Sequence, residues 1–298
     1  MAAESTSNPG EGRLKADLTL LLVSVIWGSA FVAQRVAAEH MGVYLFNGLR
    51  FLLGALVLLP LALRGRGQGP PLTRKTLPWM LLAGGLIFAG ASLQQLGMRY
   101  TTAGNAGFIT GLYVVLIPII LAVAWRQPPR PAVWVAAVLA TLGLFLLSTG
   151  GRFVLALGDA LELACAFLWA FHVIMIGWLV SRVRIPQLAV TQYLICAVLS
   201  LVISLLIESN SLEQAAGAWW TIVYTGIFSI GVGYTLQAVA QKVAPPADAA
   251  ILLSLEAAFA ALAGWLFLDE RLTPIQLAGC GLMLAGMLLA QVRTPRGN

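Results

Sequence analysis

The sequence contains little charge, histidine or cysteine, and each shortage argues against a class of function. Asp, Glu, Lys and Arg make up 10% of the 298 residues, whereas a soluble domain carries about 25%. Two histidines and three cysteines (Cys165, Cys196 and Cys280) are little material for a metal site or a disulfide framework, so no metal or cofactor is expected. The cysteines are interpreted as packing residues. The chain lacks a glycine-rich loop ending in Gly-Lys-Ser/Thr, a His-Glu-x-x-His motif and a Gly-x-Ser-x-Gly motif, which argues against an ATP-driven pump and against an enzyme.

The sequence has, instead, many apolar stretches of membrane-crossing length. Hydrophobic residues account for 59% of the chain, and the mean hydropathy is +0.88. The stretches are about twenty residues long, which is the length an α-helix needs to cross roughly 30 Å of hydrocarbon. The sequence therefore predicts an all-α membrane protein with ten transmembrane helices, preceded by a disordered cytoplasmic tail over residues 1–16. The predicted spans cover residues 17–37, 42–63, 77–97, 105–125, 132–150, 157–179, 187–207, 218–240, 247–268 and 274–292.

The positive charges predict the orientation of these spans. With the N-terminus inside the cell, 13 of the 18 Lys and Arg residues fall on the cytoplasmic side, three on the opposite side and two within spans. Because cytoplasmic loops retain Lys and Arg, both termini are predicted to be cytoplasmic, which requires an even number of spans. The net charge of +6 is thus explained by membrane topology, and no nucleic-acid partner is expected.

An internal repeat divides the chain into a unit of residues 17–150 and a second unit of residues 157–292. A shift of 142 to 143 residues aligns Asp17 with Asp159, Trp27 with Trp169, Gly90 with Gly233, Gln94 with Gln237, Pro131 with Pro274 and Gly143 with Gly286. A unit of five spans that is duplicated in tandem must insert its second copy upside down, because an odd number of crossings reverses the starting side. Inverted repeats place a solute site near the bilayer midplane between the halves, which predicts transport by alternating access.

Ionisable side chains inside the predicted spans are few, and each needs a partner or a water-filled cavity. Arg50 lies in the second span, Glu162 in the sixth and Glu256 in the ninth. Helical spacing also places Glu162, Trp169 and His172 on one stripe of the sixth span. We therefore expect this stripe to face protein or water.

Aromatic and amide side chains at matching depths extend the candidate pathway. Trp27 and Trp169 lie at mid-span, whereas the other tryptophans lie near span ends, so the pair is expected either to bound a solute pocket or to pack helices together. Gln94 and Gln237 occupy matching positions of the third and eighth spans. Hydrogen bonding between helices is the default interpretation of such amides, and solute binding is the alternative.

The repeat is asymmetric at one informative position, where Tyr113 in the first half corresponds to Glu256 in the second. A zwitterionic solute would present different ends to the two halves. Glu256 is therefore expected to face the cavity and either to bind an ammonium group or to be neutralised by Arg50. The candidate site residues are Trp27, Gln34, Arg50, Gln94, Tyr113, Glu162, Trp169, His172, Gln237 and Glu256.

Three segments carry a family resemblance: residues 27–31 (Trp-Gly-Ser-Ala-Phe), residues 50–55 (Arg-Phe-Leu-Leu-Gly-Ala) and, most specifically, residues 255–273, which begin Leu-Glu-Ala and end with the acidic turn Asp-Glu-Arg followed by Leu-Thr. On these segments the chain resembles the EamA group of the drug/metabolite transporter superfamily, whose ten helices form two five-helix repeats. The chain departs from that group by having Ala257 where a proline often follows the glutamate, and by lacking an acidic turn at residues 125–129. Within the group, the resemblance to YddG-type exporters of aromatic and other neutral amino acids implies export of amino acids or related metabolites.

The sequence as a whole predicts a secondary transporter that exports amino acids or related small metabolites across a bacterial inner membrane. A proton-coupled multidrug or metabolite exporter is the alternative, with Glu162, His172 and Glu256 as candidate proton carriers. The expected partners are a small-molecule substrate and membrane lipid. A monomer is expected, although the sequence leaves the oligomeric state open, and it also leaves a channel or a scaffold open.

Overall fold

A computed structural model describes residues 9–64, 70, 73–100, 103–149, 157–209, 212–268 and 273–291, and all regular structure in these ranges is helical. Seven helical stretches are long and apolar enough to cross a membrane, and three shorter apolar helices complete ten in the described part of the chain. The prediction of an all-α membrane fold with ten spans is therefore confirmed. The acidic turn at residues 269–271 lies outside the described residues.

We number the membrane-crossing segments as spans 1 to 10. Spans 1 to 5 are Pro9–His40, Val43–Leu63, Leu77–Gly97, the pair Ala103–Gly111 and Tyr113–Ala124, and Pro131–Thr149. Spans 6 to 10 are Leu157–Leu179, Ile185–Ile207, the series Trp219–Tyr224, Thr225–Tyr234 and Thr235–Ala240, the pair Pro246–Leu253 and Glu256–Leu268, and Pro274–Gln291. A short helix, Leu212–Gly217, precedes span 8.

Span 1 begins earlier than its apolar pattern indicates. The prediction of a disordered tail over residues 1–16 is wrong for residues 9–16, which are helical, whereas residues 1–8 lie outside the described residues. The physical reason is an ion cluster: Arg13 Nε lies 2.8 Å from Asp17 Oδ1, and Arg13 Nη2 lies 3.0 Å from Asp248 Oδ2 at the start of span 9. Arg130 Nη2 lies 3.1 Å from the same Asp248 oxygen. The polar composition that suggested disorder thus supplies ion pairs that join the two halves.

The contacts between spans follow an approximate two-fold symmetry. Span 5 packs on span 10, and span 2 packs on span 7. The contact of span 3 with span 6 recurs as the contact of span 8 with span 1. The contact of span 1 with span 9 recurs as the contact of span 6 with span 4. Advancing every span number by five reproduces the pattern, which is the result expected of two copies related by an axis in the membrane plane. The inverted repeat is therefore confirmed.

Glycines allow spans 5 and 10 to approach closely. A Cβ atom on Gly143 would lie 2.6 Å from the Gly279 carbonyl oxygen, and one on Gly279 would lie 2.5 Å from the Gly143 carbonyl oxygen. Small residues commonly mediate such contacts in membranes, because lipid gives helices no hydrophobic reason to associate and close packing must do so instead.

Spans 4 and 9 are interrupted at equivalent places. The first helix of span 4 ends at Gly111 and the second begins at Tyr113, while span 9 is broken at residues 254–255 and resumes at Glu256. Span 9 is thus broken just before Glu256, although Ala257 replaces the proline that often follows this glutamate in the family. In both halves, the residue at the asymmetric position therefore opens the second part of a broken helix. Discontinuous helices are typical of the binding regions of transporters.

Candidate functional site

A small cavity lies between the two repeats, with a volume of about 40 Å³ open to water-sized molecules. Its lining comes from spans 1, 2, 3, 4, 6, 8 and 9, so both halves contribute. The lining residues are Trp27, Phe31, Gln34, Arg50, Gln94, Thr110, Tyr113, Trp169, His172, Val173, Ser229, Ile230, Tyr234, Gln237 and Glu256. Nine of the ten residues that the sequence singled out are brought together here.

Glu162 is the one candidate that does not line the cavity. It is fully buried on span 6, where the Thr110 hydroxyl donates a hydrogen bond of 2.8 Å to its Oε2 atom. Thr110 itself lines the cavity, so Glu162 lies one layer behind the wall. Its Oε1 atom has no hydrogen-bond partner among the described residues.

Arg50 is buried in the cavity wall and is held by uncharged groups. Its Nη1 atom donates to Gln34 Oε1 at 2.7 Å, and its Nε atom donates to Asn47 Oδ1 at 3.0 Å. The guanidinium carbon also lies 4.8 Å from the centre of the Phe46 ring. A guanidinium has five N–H donors in a planar fork, so these contacts leave donors for a further acceptor.

Glu256 is also buried and also has an uncharged partner. The Tyr113 hydroxyl donates to Glu256 Oε1 at 3.1 Å, which joins the two residues at the asymmetric position of the repeat. Within the described ranges, no ion pair within 4.0 Å joins Glu256 to Arg50. The cavity therefore presents one cation and one carboxylate that do not neutralise each other by direct contact.

Three aromatic rings form the wall on the side of span 8. The Tyr234 ring centre lies 4.7 Å from that of Trp27 and 5.8 Å from that of Trp169, so Tyr234 bridges the two mid-span tryptophans. Sequence reasoning missed Tyr234, because its repeat counterpart is Ala91 and no match drew attention to it. Tyr234 directly follows Gly233, in a segment that the repeat had already matched to span 3, and this position could have identified it as a candidate site residue.

Span 8 presents this wall through a wide helical segment. Residues Thr225–Tyr234 form a π-helix, whereas the matching part of span 3 is a regular α-helix. The Ser229 carbonyl accepts a hydrogen bond of 3.1 Å from Trp27 Nε1. Segments with π-helical geometry are uncommon and are frequently found at functional sites.

Each mid-span tryptophan packs against a glycine of the opposite repeat. A Cβ atom on Gly90 would lie 3.3 Å from the Trp169 ring, and one on Gly233 would lie 2.6 Å from Trp27 Nε1. The two glycines that the repeat aligned therefore accommodate the two tryptophans that it aligned. The absence of a side chain at these positions admits both indoles to the cavity wall.

The difference between these two contacts gives a prediction. We expect Gly233→Ala to lower the apparent melting temperature in detergent by several degrees, because overpacking costs about 1–3 kcal/mol and the new methyl would displace the Trp27 indole from Ser229. We expect Gly90→Ala to change it by less than about half as much, because its closest contact exceeds 3 Å. An equal loss of thermal stability in the two variants, or a larger loss in Gly90→Ala, would contradict this account of how the tryptophans pack against the glycines.

Several buried polar atoms at the cavity have no hydrogen-bond partner among the described residues. They are Trp169 Nε1, His172 Nδ1 and both side-chain amide atoms of Gln237. His172 Nε2 does have a partner, at 3.1 Å from Gln192 Oε1.

In the described ranges, no group of three or more His, Cys, Asp or Glu residues is arranged to hold a metal ion.

A second, wider cavity, with a volume of about 790 Å³ open to water-sized molecules, opens at one membrane face, also between the two halves. The ends of spans 3, 4, 6 and 9 supply its walls, which carry Trp79, Trp125, Trp178 and Arg182. The Arg182 guanidinium carbon lies 4.1 Å from the centre of the Trp178 ring. This face carries the Arg13–Asp248–Arg130 cluster and is the one predicted to be cytoplasmic.

Comparisons with known proteins agree with this architecture. An uncharacterized transporter of Archaeoglobus fulgidus is 34% identical over 289 residues, which cover 95% of this chain and 88% of that protein. The threonine/homoserine exporter RhtA of Escherichia coli is 29% identical over 293 residues, covering 91% of this chain and 90% of that protein. A solved crystal structure at 19% identity covers 93% of this chain and 96% of its own with a TM-score of 0.78, and so has the same fold.

The family model described as the EamA-like transporter family matches the chain twice, over residues 14–149 and 156–291. The two matches correspond to the two halves whose contacts show the two-fold symmetry. They include the tryptophans, Arg50 and Glu256 of the cavity. The chain therefore belongs to the EamA-like transporter family, and it is a membrane transporter rather than an enzyme.

Proposed function

We propose that this transporter exports amino acids by alternating access, holding the zwitterion between Arg50 and Glu256. The observation that supports this most directly is the charge arrangement of the cavity. One cation and one carboxylate line the same buried space, and each is held by neutral groups rather than by the other. Such a pair is complementary to a solute that carries both a carboxylate and an ammonium group.

The cost of burying charge favours a functional role for both residues. An ionised side chain at the middle of a membrane costs roughly 2.5–3.5 kcal/mol on insertion scales, and charges in such positions commonly mark substrate or ion pathways. A bound zwitterion would give Arg50 a carboxylate partner and Glu256 an ammonium partner at once. The same cavity without solute leaves each charge with hydrogen bonds only, so charge pairing favours the loaded state.

The relatives support amino acids as the solute class. RhtA is named as an exporter of threonine and homoserine, both of which are zwitterions with short side chains. The aromatic wall of Trp27, Trp169 and Tyr234 would accommodate apolar or aromatic parts of a side chain. Aromatic and other neutral amino acids, as well as related small metabolites, therefore belong to the solutes that we propose.

Export across a bacterial inner membrane agrees with the proposed orientation. With both termini cytoplasmic, the second cavity faces the cytoplasm, where the exported solute is produced. Its tryptophans and arginines would form the entrance. The Arg13–Asp248–Arg130 cluster beside it joins the first half to the second, so these ion pairs must rearrange when the halves move.

Transport by purified protein in liposomes tests the function. We expect exchange of labelled amino acids that is accelerated by unlabelled amino acid on the opposite side and that needs no ATP. Absence of flux for every neutral amino acid would contradict the proposal. Liposomes with an imposed pH gradient provide the second arm of the experiment.

A proton-coupled exporter is the second candidate, and the buried Glu162 behind Thr110 favours it. If a pH gradient alone drives accumulation of solute and Glu162→Gln abolishes that accumulation while leaving exchange intact, proton coupling is the better description. Exchange that is insensitive to the gradient supports the first candidate.

A further inference from the structure

We propose that Gln237 selects the side chain of the substrate, by forming hydrogen bonds to a hydroxyl or amide group on it. This inference rests on the proposed transport of amino acids and adds a preference within that class. It assigns a role to a cavity residue that holding the zwitterion does not require.

Gln237 has two unpaired polar side-chain atoms, more than any other residue in the described cavity wall. The residue is 1% exposed, and neither Nε2 nor Oε1 has a hydrogen-bond partner among the described residues. Its repeat counterpart Gln94 is 8% exposed, and neither of its amide atoms is among the buried atoms that lack a hydrogen-bond partner. Buried side-chain amides are nearly always bonded, so an unpaired one at a solute cavity needs an explanation.

Neighbouring glutamines show what a structural amide does in this bundle. Gln241, which directly follows the last residue of span 8, donates to the Val173 carbonyl at 3.0 Å. Gln95 on span 3 donates to the Gln34 carbonyl at 3.0 Å. Both bond to the backbone of another span and neither lines the cavity. Gln237 makes no such bond, so the default interpretation of these amides as links between helices does not account for it.

The chemistry of an amide defines the group that it would recognise. It offers one acceptor oxygen and two N–H donors, and a hydroxyl is both donor and acceptor. Arg50 and Glu256 are proposed to hold the two charged groups that every amino acid shares, which leaves Gln237 for the variable part. A methyl group in place of the hydroxyl would leave the buried amide unpaired, and sites built in this way discriminate strongly against the apolar analogue.

The test uses pairs of amino acids that differ in a single polar group. The pairs are threonine with valine, homoserine with norvaline, and tyrosine with phenylalanine. We expect the full-length protein in liposomes to favour the hydroxylated member of at least one pair by about tenfold or more in initial rate at low concentration. The ratio within a pair cancels differences in the amount of active protein.

Gln237→Met keeps the length of the side chain and removes its amide. We expect it to reduce the ratio to within about threefold of unity, mainly through slower transport of the hydroxylated member. Gln241→Met is the matched control, because it removes a buried amide one turn after Gln237, at the end of span 8 and outside the cavity. We expect the control to retain the wild-type ratio even if its thermal stability falls.

Each outcome supports or overturns the assignment. A ratio near unity in the wild type, a ratio that survives Gln237→Met, or a ratio that Gln241→Met also abolishes would overturn it, although amino-acid transport would stand. A wild type that transports no amino acid would overturn the proposed function itself and this inference with it. Loss of preference in Gln237→Met alone supports it.

Discussion

A Glu256→Gln variant is expected to transport neutral amino acids about 10- to 150-fold more slowly than the wild type at low concentration. The substitution preserves the shape of the side chain and an oxygen that can accept the Tyr113 hydrogen bond. What it removes is the negative charge, and a hydrogen bond to a charged group is worth about 1.5–3 kcal/mol. The measurement is the initial rate of labelled amino-acid exchange in liposomes, across a range of pH.

The solute itself supplies the sharper control. A 2-hydroxy acid has the carboxylate of an amino acid but carries a hydroxyl in place of the ammonium group, so its transport should be no slower in Glu256→Gln than in the wild type. Glu39→Gln is the matched protein control, because Glu39 is an exposed carboxylate paired with Arg35 at the end of span 1. Normal amino-acid transport by Glu256→Gln at every pH would disprove the ammonium-binding role.

Tyr113→Phe separates the charge of Glu256 from its hydrogen bond. It removes the hydroxyl that contacts the carboxylate and leaves the carboxylate itself, so we expect an effect of about fivefold or less. A larger effect than that of Glu256→Gln would show that Tyr113, rather than the charge, dominates this part of the site.

The fold and most of the candidate site were predictable from the sequence because the signals are local. Apolar length determines which segments cross a membrane, and a polar residue at mid-span is costly wherever it occurs. Arg50, Glu256, Trp27 and Trp169 were identified on that basis. The internal repeat identified Gln94 and Gln237, because these two residues attract attention only as a matched pair.

What could not be predicted depends on how the two halves meet. The alignment of Gly90 with Gly233 did not reveal that each accommodates a tryptophan of the other half, because that contact exists only once the second repeat is inverted against the first. Spacing along span 6 correctly placed Glu162 on an inward face. It did not show that Thr110 of span 4 would stand between Glu162 and the cavity.

The helix breaks and the early start of span 1 were missed for a related reason. No proline or glycine marks residues 254–255, so nothing in the local sequence indicated that span 9 is interrupted just before Glu256. The polar residues at the start of span 1 have the composition of a disordered tail, and they are ordered because Asp248, more than 200 residues away, pairs with Arg13.

The counterpart of the first prediction concerns the other charge of the cavity. Arg50→Met should slow amino-acid transport by about a hundredfold or more, because removing one partner of a buried, hydrogen-bonded charge pair typically costs about 2–5 kcal/mol. The same change leaves Gln34 Oε1 and Asn47 Oδ1 without the donor that now holds them, so some loss of stability is expected as well.

A pair of solutes distinguishes carboxylate binding from that structural effect. A decarboxylated amine retains the ammonium group and lacks the carboxylate, so Arg50→Met should transport it at least as fast as the wild type, while Glu256→Gln should transport it more slowly. The 2-hydroxy acid should show the reverse order. If Arg50→Met slows the amine and the amino acid equally, Arg50 supports the cavity without binding the solute. Arg50→Lys then shows whether charge alone suffices, because it keeps the cation and loses the planar fork that matches a carboxylate.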